Sequence, residues 1–376
     1  MQFRDLQRQY KALKVEMDSA IQRVVSSAHF IMGEEVASLE HRLSEYVGVK
    51  NCVACANGTD ALRLTMMLSQ IGEGDAVFVP DFTFYATAEV VLAHGATPIF
   101  VDVEEHTFNM DVVDLERKIA EVTAQGNLRP KAIMAVDLFG LPANFRDISL
   151  LADRQKLLLI EDAAQGFGGT LNEQRACSFG AMSATSFFPA KPLGCYGDGG
   201  AFFTNDDELA QKARSIIQHG KGSNKYENVR VGLNSRLDSL QAAVLHVKLD
   251  AFDKELESCQ KMANMYDTLL SDIVKTPQVP SEFLSSWAQY TIRLEDKNQR
   301  DMLKSQLADR DIPSMIYYPI PLHRQPVFAH LHQDSCPTAS RLSDTVLSLP
   351  MHPYLTSEEV HHVANTIREA LTTSRK

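Results

Sequence analysis

The sequence predicts an α/β fold: a mainly parallel sheet with helices on both faces, followed by a smaller α+β domain. Three observations carry this. Between residues 51 and 160, short apolar runs alternate with stretches of helical spacing, the pattern of parallel strands joined by crossover helices. Residues 157–160, L-L-L-I, are apolar without alternation, as in a strand buried on both faces. Beyond residue 270 the pattern changes, and W-A-Q-Y-T-I-R-L (287–294) alternates like an antiparallel strand. A chain of 376 residues has room for both parts, divided here as 1–245 and 246–376.

Residues 4–27 carry Leu6, Tyr10, Leu13, Met17, Ile21, Val24 and Val25 at helical spacing, which predicts one amphipathic helix. Residues 34–46 repeat the pattern with Val36, Leu39, Leu43 and Tyr46. The A-H-F-I-M-G between them has no period and reads as a loop able to touch a ligand. N-C-V-A-C-A-N-G-T-D (51–60) reads as strand, turn and helix start, with Thr59 or Asp60 as the cap. Free N–H groups and a hydroxyl at a helix start suit a phosphate, and they suit a plain capped helix equally well. No G-x-G-x-x-G lies here, so a dinucleotide site of the Rossmann type is not supported. Cys52 and Cys55, three apart in a strand, point to opposite faces and make no metal pair.

Strands are expected at 76–80, 97–103 and 131–137, and helices within 82–95, 112–123 and 145–155. Glu161 and Asp162 follow L-L-L-I directly, at the carboxyl end of a strand, where parallel sheets gather ligands. A carboxylate there needs a cation or N–H partner. Either it caps the next turn or it pairs with a protonated heterocycle nitrogen.

The stretch 183–205, S-A-T-S-F-F-P-A-K-P-L-G-C-Y-G-D-G-G-A-F-F-T-N, is a tight loop between two β-type runs. Lys191 sits in its middle, biased away from helix by Pro192. Desolvation in such a loop favours the neutral, nucleophilic amine, which forms Schiff bases with carbonyls. A surface hairpin with an exposed lysine fits the same residues. Further on, a helix is expected at 206–218, a polar loop at 220–228, a long helix to about residue 270, and a helix at 298–309. Thr356 and Glu359 read as a capping box for the last helix. His323, His330, His332 and Cys336 match no structural zinc spacing and read as a solvated loop, so no metal is expected.

A net charge of -11 argues against nucleic acid as a partner, because phosphate backbones select basic surfaces. No apolar run is long enough to span a bilayer, and M-Q-F-R-D-L-Q-R lacks the apolar core of a signal peptide. A cytoplasmic protein without membrane or nucleic-acid partners is therefore expected. A strand-end aspartate, a loop lysine downstream and a Gly-Thr helix start upstream together fit one cofactor, pyridoxal 5'-phosphate.

Seven stretches carry a family resemblance: A-N-G-T-D-A-L (56–62), T-F-Y-A-T-A-E (83–89), I-E-D-A-A-Q (160–165), S-F-F-P-A-K-P-L-G-C-Y-G-D-G-G-A (186–201), G-L-N-S-R-L-D-S-L-Q-A-A (232–243), Y-P-I-P-L-H (318–323) and L-S-L-P-M-H-P-Y-L (347–355). Over nearly its whole length the chain resembles the DegT/DnrJ/StrS-type nucleotide-sugar aminotransferases. The resemblance implies a pyridoxal phosphate-dependent transferase of fold type I, with a seven-stranded type of sheet. It implies a homodimer with shared active sites, L-glutamate as amino donor leaving as 2-oxoglutarate, and a nucleotide-linked keto sugar as acceptor. It implies Lys191 as the Schiff-base lysine, Asp162 as the ring-nitrogen partner, Phe84 stacked on the ring and Gln165 on its phenolic oxygen. Gly58, Thr59 and Ser186 would hold the phosphate, joined by Asn234 of the other subunit. The lysine loop, N-S-R-L-D and L-P-M-H-P-Y-L most resemble members that aminate UDP-2-acetamido-2-deoxy-3-oxo-D-glucuronate, with Phe30, Arg236, Tyr317 and Tyr318 at sugar-nucleotide positions. Where those enzymes can have Tyr, Ser and His, this chain has Phe30, Ala190 and Tyr317, and Asp137 stands where many relatives have histidine. Dehydratases resembling the family replace the lysine, so Lys191 speaks for amination.

Overall fold

The computed structural model describes residues 1–224, 226–331 and 336–373. Its centre is a seven-stranded sheet. The strands are β1 (Asn51–Cys55), β2 (Asp75–Pro80), β3 (Thr97–Val101), β4 (Arg129–Val136), β5 (Leu158–Asp162), β6 (Met182–Ser186) and β7 (Gly200–Thr204). They lie in the order β1-β7-β6-β5-β4-β2-β3. β3, β2, β4, β5 and β6 pair in parallel, while β7 runs antiparallel to both β6 and β1. The sheet is thus parallel as expected, with its one reversal at the hairpin that holds Lys191.

Period-2 alternation splits each strand between two cores. Val53, Val77, Val79, Met134 and Ile160 face the helices Gly58–Leu68, Ala86–Ala93 and Asp207–Ile216. On the other face, Phe78, Ile133 and Ala135 meet Val112–Gln125 and Phe145–Gln155, while Ala54, Ala201 and Phe203 meet helices of the N-terminal part. Cys55 packs in the first core and Cys52 behind the sheet, which is why C-x-x-C cannot close on one ion here. Among the described residues no helix is long and apolar enough to cross a membrane.

Two elements differ from the sequence reading. The single helix expected over 4–27 is two, Leu6–Ala12 and Lys14–Ser27, with Leu13 leaving helical geometry (φ -106°, ψ 15°) between them. The first is held to the C-terminal part by Arg8, which pairs with both oxygens of Glu359 at 2.7 Å. The second buries Met17, Ala20 and Val24 against the long helix. Their partners lie in different directions, so the chain bends. β5 also runs two residues further than L-L-L-I, taking Glu161 and Asp162 into the strand.

The helix Ser239–Leu270 has 32 residues and is continuous through residue 245. Its first half packs beside Val24 and Leu39, and from Cys259 onward it joins the C-terminal core. That core also takes the antiparallel pair Tyr290–Arg293 and Val346–Leu349 and the helix Lys297–Ala308. Thr356 and Glu359 form the expected capping box, N–H to side chain in both directions at 3.0 and 3.2 Å.

Candidate active site

Four segments meet at the carboxyl ends of the parallel strands: the end of β5, the turn after β2, the helix start after β1 and the loop after β6. In the last of these the backbone closes on itself. Phe187 N–H donates to Gly199 at 2.7 Å, Cys195 N–H to Phe187 at 2.8 Å and Lys191 N–H to Phe188 at 2.8 Å. Phe187, Leu193 and Cys195 are buried beneath it and fix the loop to the core.

Asp162 is buried. Its Oδ2 accepts the Thr87 hydroxyl at 2.8 Å and its Oδ1 the Ala164 N–H at 3.1 Å. Burial pushes its pKa up; the two hydrogen bonds and the nearby Lys191 charge pull it back down. Lys191 shows the converse. Burial lowers its amine to about 8, Asp162 raises it and the Arg4 guanidinium lowers it further. The two groups are therefore electrostatic partners. A carboxylate with two hydrogen bonds still has lone pairs for a cation.

Gln165 is oriented from both ends. Its Oε1 accepts Phe139 N–H and its Nε2 donates to the Tyr318 hydroxyl, both at 3.0 Å. The Phe84 ring, about half exposed, lies 6.2 Å from the Tyr318 ring, and Tyr317 lies 5.7 Å from Tyr318. Burial raises the Tyr318 pKa, keeping its phenol protonated.

The helix start departs from the sequence reading. Its cap is Asn57, not Thr59 or Asp60: Asn57 is extended, and its side chain accepts Asp60 N–H at 2.8 Å. Gly58 is helical rather than part of a turn, so the helix begins earlier. None of the described hydrogen bonds uses the Thr59 hydroxyl, which leaves it for a ligand. A Cβ on Gly58 would sit 2.6 Å from Ser186 Cβ, so glycine is what lets the helix start meet the end of β6. The result is a helix N-terminus with two adjacent hydroxyls, suited to a phosphate.

Asn234 and Arg236 flank Ser235, whose hydroxyl accepts Ala56 N–H at 3.1 Å, one residue before the cap. Asn234 is exposed. Arg236 lines an open depression of about 560 Å³ with Gln218, His219, Lys221 and Asn228. No described ion pair involves it, so the pairing with Asp238 that its spacing allows is not made. Phe30, 43% exposed, lies alongside: its carbonyl accepts Ser239 N–H at 2.9 Å, and Ile31 bridges Asp238. No described contact ties Phe30, Asn234 or Arg236 to Lys191 or Asp162 within one chain.

The solvated loop expected around His323 and Cys336 is not found. Asp81, buried at the end of β2, accepts His323 N–H at 2.7 Å, and its other oxygen lies 2.6 Å from His323 Nδ1. Cys336 is buried close by, and His330 is exposed. A buried carboxylate needs donors, and the P-L-H segment supplies them. His332 lies outside the described residues.

Sequence reading also missed Thr87 and Arg4. Thr87 stands four residues after Thr83, and their hydroxyls lie 3.3 Å apart on one face of a turn, a spacing visible in T-F-Y-A-T. Arg4 gave no signal, being one polar residue at the head of a helical pattern.

A buried carboxylate facing a lysine of lowered pKa, with a helix start suited to a phosphate near them, fits pyridoxal phosphate. Fold and site define the class: a pyridoxal 5'-phosphate-dependent aminotransferase. More particularly, the chain belongs to the DegT/DnrJ/EryC1/StrS aminotransferase family, whose model matches residues 11–368. It is 43% identical over 361 residues to the UDP-2-acetamido-2-deoxy-3-oxo-D-glucuronate aminotransferase of Pseudomonas aeruginosa, covering 96% of this chain and 97% of that one. It is 40% identical to a UDP-N-acetyl-3-dehydro-alpha-D-glucosamine 3-aminotransferase of Acidithiobacillus ferrooxidans, over 98% and 97% of the two chains. The crystal structure of a DegT DnrJ EryC1 StrS aminotransferase from Brucella abortus superposes with a TM-score of 0.96 at 49% identity, over 99% of each chain.

Proposed function

We propose that this protein moves the amino group of L-glutamate onto a nucleotide-linked 3-keto sugar, with UDP-2-acetamido-2-deoxy-3-oxo-D-glucuronate as acceptor. The observation that supports the acceptor most is Arg236, a guanidinium with no described ion-pair partner in an open depression. Arginine binds carboxylates through two parallel hydrogen bonds, and both glutamate and a hexuronate carry one. The resemblance to the Pseudomonas enzyme points the same way.

In this reading pyridoxal phosphate, when bound, supplies an aldehyde that takes up the amine and a protonated ring that accepts electrons from the substrate carbon. Lys191 would hold the cofactor through its amine, and as a free amine it would be the group that moves a proton to or from the substrate carbon. Its lowered pKa leaves a neutral fraction near neutral pH for that work. General acid–base transfer of this kind contributes roughly 10²–10⁴-fold. Asp162, held by Thr87 and Ala164, would keep the ring nitrogen protonated. Phe84 would stack on the cofactor ring, and Gln165 would bond its phenolic oxygen. Gly58, Thr59 and Ser186 hold the phosphate together with Asn234 of a second copy, so the working unit is a homodimer. Tyr317, Tyr318, Phe30 and Arg236 line the sugar site. The product serves surface polysaccharide synthesis, such as O-antigen or lipopolysaccharide, in the cytoplasm.

The test is incubation with glutamate and a panel of keto sugar nucleotides, with mass detection of the amino sugar and 2-oxoglutarate. The second acceptor to weigh is the neutral 3-keto N-acetylglucosamine nucleotide named for the Acidithiobacillus relative. Preference for that sugar, with Arg236→Ala barely slowing its amination, sinks the hexuronate reading.

A further inference from the structure

We propose that Arg4 is a positioning residue for Lys191, holding the lysine's backbone and setting the charge around its amine; this rests on the function proposed above. Arg4 Nη2 donates to the Lys191 carbonyl at 2.8 Å and to the Pro192 carbonyl at 3.3 Å. These are successive carbonyls of the loop that carries the reactive amine. A lysine that alternates between a linked and a free amine needs a fixed Cα, or its Nζ cannot return to the same carbon.

The segment around Arg4 ties this loop to the C-terminal part. Phe3 accepts Met351 N–H at 3.3 Å, and its ring meets the Tyr317 ring edge-on at 6.2 Å. Tyr318, the next residue, reaches the site directly, its hydroxyl accepting from Gln165 Nε2 at 3.0 Å. One short strap therefore touches the lysine loop and the sugar-side tyrosines together.

The charge argument is independent of the hydrogen bonds. Asp162 and Arg4 are the charged groups that face Lys191, and they act in opposite directions. Arg4 is itself surrounded by Glu255 and Cys259 of the long helix, with Lys248 and His352 also within its field. Glu255 is the one fixed negative charge among them. It accepts from Gln9 at 3.0 Å and from Tyr354 at 2.7 Å, so it balances Arg4 without reaching Lys191. Asp162 makes the lysine cation easier to hold, and Arg4 offsets part of that, leaving more neutral amine for proton transfer.

The test compares Arg4→Gln, Arg4→Lys and Arg4→Ala in the cofactor-loaded enzyme. Glutamate treatment moves the amine to the cofactor and frees Lys191. Acylation of Lys191 is then followed against pH by peptide mass mapping, beside the pH profile of kcat and the melting temperature. Arg4→Gln keeps a donor and loses the charge. Its labelling midpoint and the acid limb of kcat should both move up from about 8 toward the ordinary lysine value, with little change in melting. A rise of one unit lowers the neutral fraction at pH 7, and turnover there, about tenfold. Arg4→Lys should keep the midpoint near wild type. If Arg4→Ala does not fold, Arg4→Gln decides. An unchanged midpoint in Arg4→Gln with turnover within twofold overturns the proposal. Absence of any borohydride-reducible link at Lys191 in the wild type overturns the function reading instead.

Discussion

Burial at the end of its strand raises the Asp162 carboxyl, and Thr87, Ala164 and Lys191 oppose that cost by favouring its charged form. Asp162→Asn retains the shape and loses the charge proposed to keep a ring nitrogen protonated. Cofactor should remain bound while turnover falls by at least about 10²-fold. Turnover within a few-fold of wild type refutes the role. Asp162 was legible because its place after L-L-L-I puts it on a known ligand-gathering edge. Thr87 and Arg4 were not, because they act through partners 75 and 187 residues away.

Asp137, one strand over from β5, gives a second prediction at this scale. It is fully buried; Oδ1 accepts Ala143 N–H at 3.1 Å, no N–H or hydroxyl donor reaches Oδ2 among the described residues, and a Cβ on Gly166 would lie 2.2 Å from Oδ2. It faces Glu161, which burial raises to about 7 despite hydrogen bonds from Cys177, Phe179 and Ser183. Asp137 is raised as well, by burial first and then by Glu161, so the pair holds a proton that the unfolded chain would release. A raised folded pKa gives stability that is full below about 4.5 and lost as pH rises through about 7. Asp137→Asn supplies an amide donor to Glu161, lets it ionise, and should flatten the loss of stability between those values in urea melts. An unchanged slope contradicts the shared proton.

Among elements, the helix Gly58–Leu68 shows what sequence reading catches and where it slips. Strand, turn and helix were all legible in A-N-G-T-D. The start was misplaced because glycine normally marks a turn, and here it is kept for its lack of a side chain. Gly58→Ala should push the helix start off Ser186, cost about 1–3 kcal/mol as overpacking does, and weaken cofactor binding more than it slows a saturated enzyme. Cofactor titration by absorbance measures this; unchanged affinity contradicts a phosphate site there. The break at Leu13 was illegible for a different reason, since helical spacing continues across it and only the divergent partners of the two helices impose it.

For the whole molecule, the parallel sheet and the second α+β core were both written in periodicity. The grouping of the C-terminal segment with β2 was not, because the bond between Asp81 and His323 joins residues 242 positions apart. Phe30, Ile31 and Met32 remain substantially exposed beside Asn234 and Arg236, as do Val229 and Val231. A second copy seated there would cover them and bring Asn234 to a phosphate. Light scattering at assay concentration should give at least a dimer, and a fully active monomer refutes shared sites.

The most direct measurement is borohydride reduction of the cofactor-loaded protein, followed by peptide mass mapping. The chain offers a real competitor to Lys191. Lys248 is buried and its amine is likewise lowered to about 8 by burial, but it sits over the Tyr196 ring at 4.5 Å, and Glu255 is the first charge to raise it. It lacks the strand-end aspartate and the helix start. The reduced cofactor should be found on Lys191 alone. Its appearance on Lys248, or on no lysine, contradicts the site built here from Asp162, Lys191 and the start of the helix after β1.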